Sequence, residues 1–334
     1  MMNKSLSYYI QNYFLSYMIA QRGYGSNTIS SYRDTFKLLF QYLSENGRTI
    51  PKLKISDVNR THILGFLDWL ETNRKNSVAT RNVRLAHIKS FFGHVLTITP
   101  ELSEHFSQIM RLKSKKTEKK PPKYLTETET EALLKAPDGG TINGLRHLSM
   151  LTLLYDSACR VQELIDLNVA DITIGSICKI FVKGKGKKER EVPILPETGK
   201  ILLQYIKIYR LQPNQALFSN KQGNRLTRAG VSYILNMYAG KSRGNTSASS
   251  STSPHKMRHS KASHLISHGV SIYDIRDFLG HESVVTTQIY LTSSPEAKRA
   301  AIEKAALKTT QDSDSFFSDD EKEDLLEFLT CLIN

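Results

Sequence analysis

Four separated segments of the chain gather residues that can work on a phosphate: DSACRVQELIDL (156–167), VKGKGKKER (182–190), PHKMRHSKASHLISHG (254–269) and LGHESVVTTQIY (279–290). Breaking a phosphodiester without a metal requires cations to hold the charge that gathers on the non-bridging oxygens. Arginine suits that task, because its planar guanidinium gives bidentate contacts and stays protonated. Tyrosine, with an ordinary pKa of about 10, is a poor nucleophile at neutral pH until surrounding cations lower that value. A displaced alkoxide oxygen is a worse anion still, so a proton donor must stand beside it.

Taken singly, each of these residues has a plainer reading. Arg160 could be a helix-surface charge paired with Glu163 or Asp166. Lys185 sits among Lys183, Lys187 and Lys188, so its choice rests on the Gly-Lys-Gly register, with Lys183 as the fallback. Tyr290 is one of 15 tyrosines. His255, His259, His264 and His268 form i, i+4 pairs that could suggest a metal site, but no His-Glu-x-x-His is present.

In order and spacing the four segments resemble the tyrosine recombinase, or phage-integrase, family, and the helical N-terminal part looks like that family's core-binding domain, so the resemblance covers the whole chain. Carried over position by position, it implies catalytic arginines at Arg160 and Arg258, a hairpin lysine at Lys185, the histidine of the His-x-x-Arg box at His255, the later His/Trp position at His281 and the nucleophile at Tyr290. Glu163 matches the acidic supporting residue, and Cys159, a less usual neighbour of the first arginine, reads as packing. Lys185 is the expected proton donor to the 5′-oxygen, with His255 handling the proton at the tyrosine. The resemblance further implies a 3′-phosphotyrosyl intermediate, double-stranded DNA recombination sites as substrate, four subunits on two sites, and a terminal helix docked on the neighbouring subunit. No cofactor and no metal are expected. A type IB topoisomerase and a non-catalytic DNA-binding regulator are the alternatives. No arm-binding domain precedes the helical part, which favours a Xer-like or transposon-borne recombinase. DNA contacts are expected from Arg225 and Arg228, from Arg81, Arg84 and Lys89 on one N-terminal helix, and from Lys183 and Lys187.

The elements that must position these residues follow from periodicity. The reading is mostly α with two domains: an all-α N-terminal (SAM-like) bundle and a mixed α+β catalytic domain with a small antiparallel sheet. Residues 1–112 carry helical stripes, among them Tyr9, Tyr13, Tyr17 and Met18, then Ile29, Phe36, Leu39 and Leu43, then Ile63, Phe66 and Leu70. The segment 78–96 places Val83, Leu85, Ile88, Phe91, Phe92 and Val95 toward a core. Residues 113–123, KSKKTEKKPPK, read as a basic linker suited to a phosphate backbone. The catalytic domain, 124–307, opens at Thr126 with a capping signature, continues with helices over 144–157, 197–210, 227–238 and 255–268, and has strands over 177–182 and 191–194. Residues 308–334 read as an acidic linker and an amphipathic helix with Leu325, Leu326, Leu329, Leu332 and Ile333 on one stripe.

Composition sets the class. The chain has 334 residues with a formal net charge of +14. Eight acids and one lysine lie beyond Gln311, so residues 1–311 carry +21. A body that basic attracts a polyanion, and nucleic acid is the commonest. Three scattered cysteines, Cys159, Cys178 and Cys331, make neither a disulfide framework nor a thiolate zinc site, and no stretch reaches the ~20 apolar residues of a membrane span. The reducing cytoplasm is the expected compartment.

Overall fold

The computed structural model describes residues 4–117, 123–184, 189–242, 252–281, 283–284 and 286–287. Lys185, Lys187, Tyr290, most of the Ser-rich loop and the acidic tail lie outside the described residues. The chain divides into two units, Met1–Lys119 and Lys120–Asn334. It is mostly α, the first unit all-helical and the second with a small antiparallel sheet. No helix among the described residues is long and apolar enough to cross a membrane.

In the first unit α1 (Leu6–Gln11) runs on as a π-helical segment, Asn12–Gln21, and is followed by α2 (Ser26–Glu45), α3 (Arg60–Thr72), α4 (Val78–Ile98) and α5 (Ser103–Met110). Asn59 and Ser77 accept the third backbone N–H of α3 and α4 and so fix where they begin. The aromatic stripes meet in one core, in which Tyr13 and Phe36 both set an edge against Phe91, with ring centroids 5.4 and 5.1 Å apart. Each fully buried ring is worth about 1.5–3 kcal/mol by transfer from water. Burial raises the Tyr13 hydroxyl far above its ordinary pKa, although it bonds Ser90 at 2.8 Å.

One expected core position fails. Val83 is 51% exposed, while Arg81, two residues before it, is 4% exposed. On a 3.6-residue period the buried stripe of α4 runs Arg81, Leu85, Ile88, Phe92, Val95, and Val83 falls off it. The basic segment after α5 also begins tied down, since Lys115 exchanges backbone bonds with the Asn82 side chain and its ammonium meets Glu71 at 2.7 Å.

The second unit starts at Thr126, whose hydroxyl accepts from Glu129 N while the Glu129 carboxylate accepts from Thr126 N. That capping box opens α6 (Glu127–Lys135). Then come α7 (Ile142–Asp156), α8 (Val161–Asp166), β1 (Ile172–Thr173), β2 (Lys179–Lys183), β3 (Glu189–Pro193), α9 (Pro196–Tyr209), α10 (Arg228–Ser242), α11 (Pro254–Ser267) and α12 (Ile272–Leu279). The strands form an antiparallel meander, β1-β2-β3, with Val182 opposite Arg190 and Lys183 opposite Glu189. The short β1 and α12 add to the elements expected from the sequence.

Buried Asp156 ties three elements together, accepting from Leu195 N at 2.7 Å, Thr198 Oγ1 at 2.8 Å and Lys261 Nζ at 3.3 Å. It closes α7 where the first chemistry-bearing segment begins, and so fixes that segment against α9 and α11.

Candidate active site

Between α7 and α8 the chain turns through Ala158, a fully buried residue in the left-handed region at φ 45°. The turn directs the Ala158 carbonyl at Arg258 and leaves Arg160 as the N-cap of α8. Glu163, three residues on, accepts from the Arg160 backbone N–H at 2.8 Å and from Arg160 Nη1 at 2.9 Å.

Arg258 lies on α11, 3% exposed, and donates to the carbonyls of Ala158 and Leu279, each at 2.6 Å. Arg160 Nη2 donates to the next carbonyl, of Gly280, at 3.3 Å. Gly280 is the left-handed C-cap of α12, at φ 65°, a geometry glycine takes without strain. The two arginines therefore hang on consecutive carbonyls of one helix end. His281, the following residue, is held through Nδ1 by Thr287 Oγ1 at 3.0 Å.

Electrostatics make the cluster a cationic pocket. Burial, then the charges of Arg258, Arg160, His259 and Arg190, push His281 down to about 4, so its imidazole is neutral at pH 7. His259 is lowered by burial first, then by His255 and Arg258. Glu163 behaves oppositely. Burial opposes its ionisation, yet the bonds from Arg190 and from Arg160 outweigh that and hold it below the usual carboxylate range. His255 is exposed in the first turn of α11 with its ring stacked on His259, centroids 6.2 Å apart.

The structure thus brings together Arg160, Glu163, Arg258 and His281, and it adds Arg190, the last residue of the VKGKGKKER segment. Arg190 on β3 forks onto both oxygens of Glu163 at 3.0 Å. Strand alternation was the available signal, because Arg190 and buried Val192 share one face of β3, and an inward-facing charge calls for a partner. Cys159 is fully buried packing, its thiol pushed up to about 11 by burial.

The histidines at i, i+4 have other employment. His264 bonds Tyr155 OH and the Leu125 carbonyl, each at 2.8 Å, and His268 bonds the His264 carbonyl. Among the described residues no group of three His, Cys, Asp or Glu could hold a metal ion.

The residues expected at DNA divide. Arg228, at the start of α10, is exposed with Nε bonded to Gln162 at 2.8 Å, and Lys183 is exposed at the end of β2. Arg225 instead directs its guanidinium at the carbonyls of Ile165 and Leu167, at 2.9 and 3.1 Å, closing the end of α8. Arg84 and Lys89 are half-buried on α4. Arg81 is turned into the bundle, with Nε 3.4 Å from Glu71, because its register lies on the buried stripe rather than on an outward face.

Comparison with known proteins gives a consistent picture. The profile of the phage integrase family matches residues 123–297, and that of the phage integrase N-terminal SAM-like domain matches residues 12–96. A Sinorhizobium fredii protein carrying the name integrase/recombinase is 35% identical over 335 residues, 98% of each chain. Tyrosine recombinase XerC of Herpetosiphon aurantiacus is 35% identical over 286 residues, 83% of this chain and 88% of its own. Among solved structures, a lambda integrase tetramer bound to a Holliday junction superposes with a TM-score of 0.64 at 17% identity, over 84% of this chain and 78% of its own. At that identity the likeness concerns the fold alone.

Proposed function

Because the chain belongs to the phage integrase family of tyrosine recombinases, we propose that it carries out site-specific DNA recombination by metal-independent strand cleavage and rejoining, with Tyr290 as nucleophile. The observation that carries the chemistry is the pair of guanidiniums on consecutive carbonyls, with Glu163 behind one of them and neutral His281 beside both. Such a pocket is built for the developing negative charge of a phosphodiester in transition.

In this reading Tyr290 Oη attacks phosphorus and the bond to the 5′-oxygen breaks. The 5′-oxygen takes a proton from Lys185, and the tyrosine proton passes to His255. Arg160 and Arg258 hold the non-bridging oxygens, and His281 donates a hydrogen bond through the nitrogen not engaged with Thr287. The 3′-phosphotyrosyl bond keeps the energy of the phosphodiester, so attack by a 5′-hydroxyl reverses the step without ATP. The sequence carries no Walker motif, in keeping with that.

The first unit acts as the core-binding domain, residues 124–307 as the catalytic domain, and Arg228 with Lys183 and Lys187 contact the DNA backbone. Four subunits assemble on two recombination sites, linked by the amphipathic helix expected after the acidic linker in residues 308–334, docked on a neighbour. The protein works in the cytoplasm on DNA of a mobile element or chromosome.

The test is a nicked suicide substrate, from which the cut strand's short end is lost. Wild type is expected to accumulate a detergent-resistant adduct mapping to Tyr290, and Tyr290→Phe to bind the site without cutting it. An adduct on another tyrosine, or cleavage strictly dependent on Mg²⁺, overturns the mechanism.

A further inference from the structure

We propose that Arg190 is a positioning residue for strand cleavage, which shares the charge of Glu163 from beside it so that Arg160 keeps its own for the scissile phosphate. This rests on the recombinase reading above.

Three observations carry it. First, Arg190 and Arg160 divide one carboxylate. Arg190 takes both oxygens at 3.0 Å, while Arg160 reaches Oε1 with its side chain and Oε2 with its backbone. The Glu163 side chain is 4% exposed, that of Arg190 18% and that of Arg160 40%. The order of exposure places the acid at the back, Arg190 beside it and Arg160 in front.

Second, Arg190 lies against the helix end that anchors the other groups. A Cβ on Gly280 would sit 2.9 Å from Arg190 Cζ, so the Gly280 backbone rests on the guanidinium face. The Gly280 carbonyl is the one that accepts from Arg160, and His281 follows it. Arg190 therefore touches the acid that holds Arg160 and lies against the residue whose carbonyl Arg160 uses.

Third, Arg190 ties the hairpin to this cluster. It pairs with Val182 across β2–β3, one step from Lys183 and Glu189 where the basic hairpin begins. The strand that delivers the lysines is pinned at the same point as the first arginine.

The physical consequence is electrostatic. A carboxylate shared by two guanidiniums satisfies each only in part. Without Arg190 the whole charge of Glu163 falls on Arg160, drawing it back and weakening the field it presents to a phosphate. The loss then scales with the charge on the substrate.

That scaling gives the test. Wild type, Arg190→Ala and Arg190→Lys are compared in single-turnover adduct formation on two suicide substrates. One has an ordinary scissile phosphodiester, and the other has a methylphosphonate, in which a methyl group replaces one charged non-bridging oxygen. Arg190→Ala is expected to cut the ordinary substrate slower by about 10-fold or more, less than the about 10²–10³ of a donor that touches the phosphate itself, with site affinity within about threefold. On the methylphosphonate the deficit should shrink to less than about threefold, and Arg190→Lys, which keeps the charge without the fork, should fall between. A defect of fold alone would carry the same factor onto both substrates, and that result overturns the proposal, as does a folded Arg190→Ala that cleaves like wild type. If Arg190→Ala does not fold by circular dichroism, the ratio of the two deficits in Arg190→Lys decides in the same way. A wild type that cleaves but forms no Tyr290 adduct overturns the recombinase reading itself, an outcome distinct from failure of the Arg190 inference.

Discussion

Two carboxylates in this protein each hold a pair of cations, and they do so in opposite senses. In the first unit Glu71 binds Arg81 and Lys115, with the arginine side chain 5% exposed and the acid 22%. In the second, Glu163 is 4% exposed and Arg160 40%. Arg81 is tied down behind its acid, whereas Arg160 is presented in front of one. Each acid holds an arginine and a second cation, so an arginine paired with an acid does not by itself separate a staple from a reactive group. What separates them is which partner reaches solvent.

The sharpest way to break this contrast is to truncate both arginines. Arg160→Ala should lower single-turnover cleavage by about 10²–10³ while the thermal midpoint stays near that of wild type, since a half-exposed side chain holds little of the fold. Arg81→Ala should do the reverse. It empties a buried site but leaves Glu71 its lysine, so about 2 kcal/mol of stability is expected to go, read by urea unfolding, with the cleavage rate per folded molecule unchanged. If the two effects exchange places, exposure is the wrong criterion.

A smaller effect comes from pH. The folded chain holds His281 at about 4 against an ordinary 6.5. Between those values the unfolded chain binds a proton that the folded one refuses, so this contribution is whole above pH 6.5 and drains away as the pH falls toward 4. His281→Asn should flatten that part of the curve of urea midpoint against pH, and an unaltered slope would remove His281 from the cationic pocket. Glu163 acts lower, its contribution fading only as the pH falls through its depressed value. Least of all is expected from Lys115→Ala, whose side chain is 49% exposed in its pair with Glu71. A loss below about 1 kcal/mol would confirm that Arg81 is the buried member of that triad.

Much of this was legible in the sequence, for definite reasons. The helices of the first unit announce themselves through aromatic stripes, and α6 through its Thr126–Glu129 box, because these signals are local. Arg160 with Glu163 was legible for the same reason, as two residues three apart at one helix start. Val83 was misplaced because an apolar side chain was read as core, whereas the register gives the buried place to Arg81. Arg190 went unassigned because its partner lies 27 residues back, and no spacing rule joins a strand to a helix start. The part played by α12 was equally hidden, since backbone carbonyls leave no trace in residue identity.

Those carbonyls have a consequence for how the site can be switched. Arg258 and Arg160 take their anchors from Leu279 and Gly280, and His281 is next in line. The end of α12 is thus a shared support, one of two for each guanidinium, since Arg258 also rests on the Ala158 carbonyl and Arg160 on Glu163. One residue inserted into α12 would turn its final carbonyls by about 100° and withdraw one anchor from each arginine at once. Disturbance of this single helix end therefore reaches both arginines together.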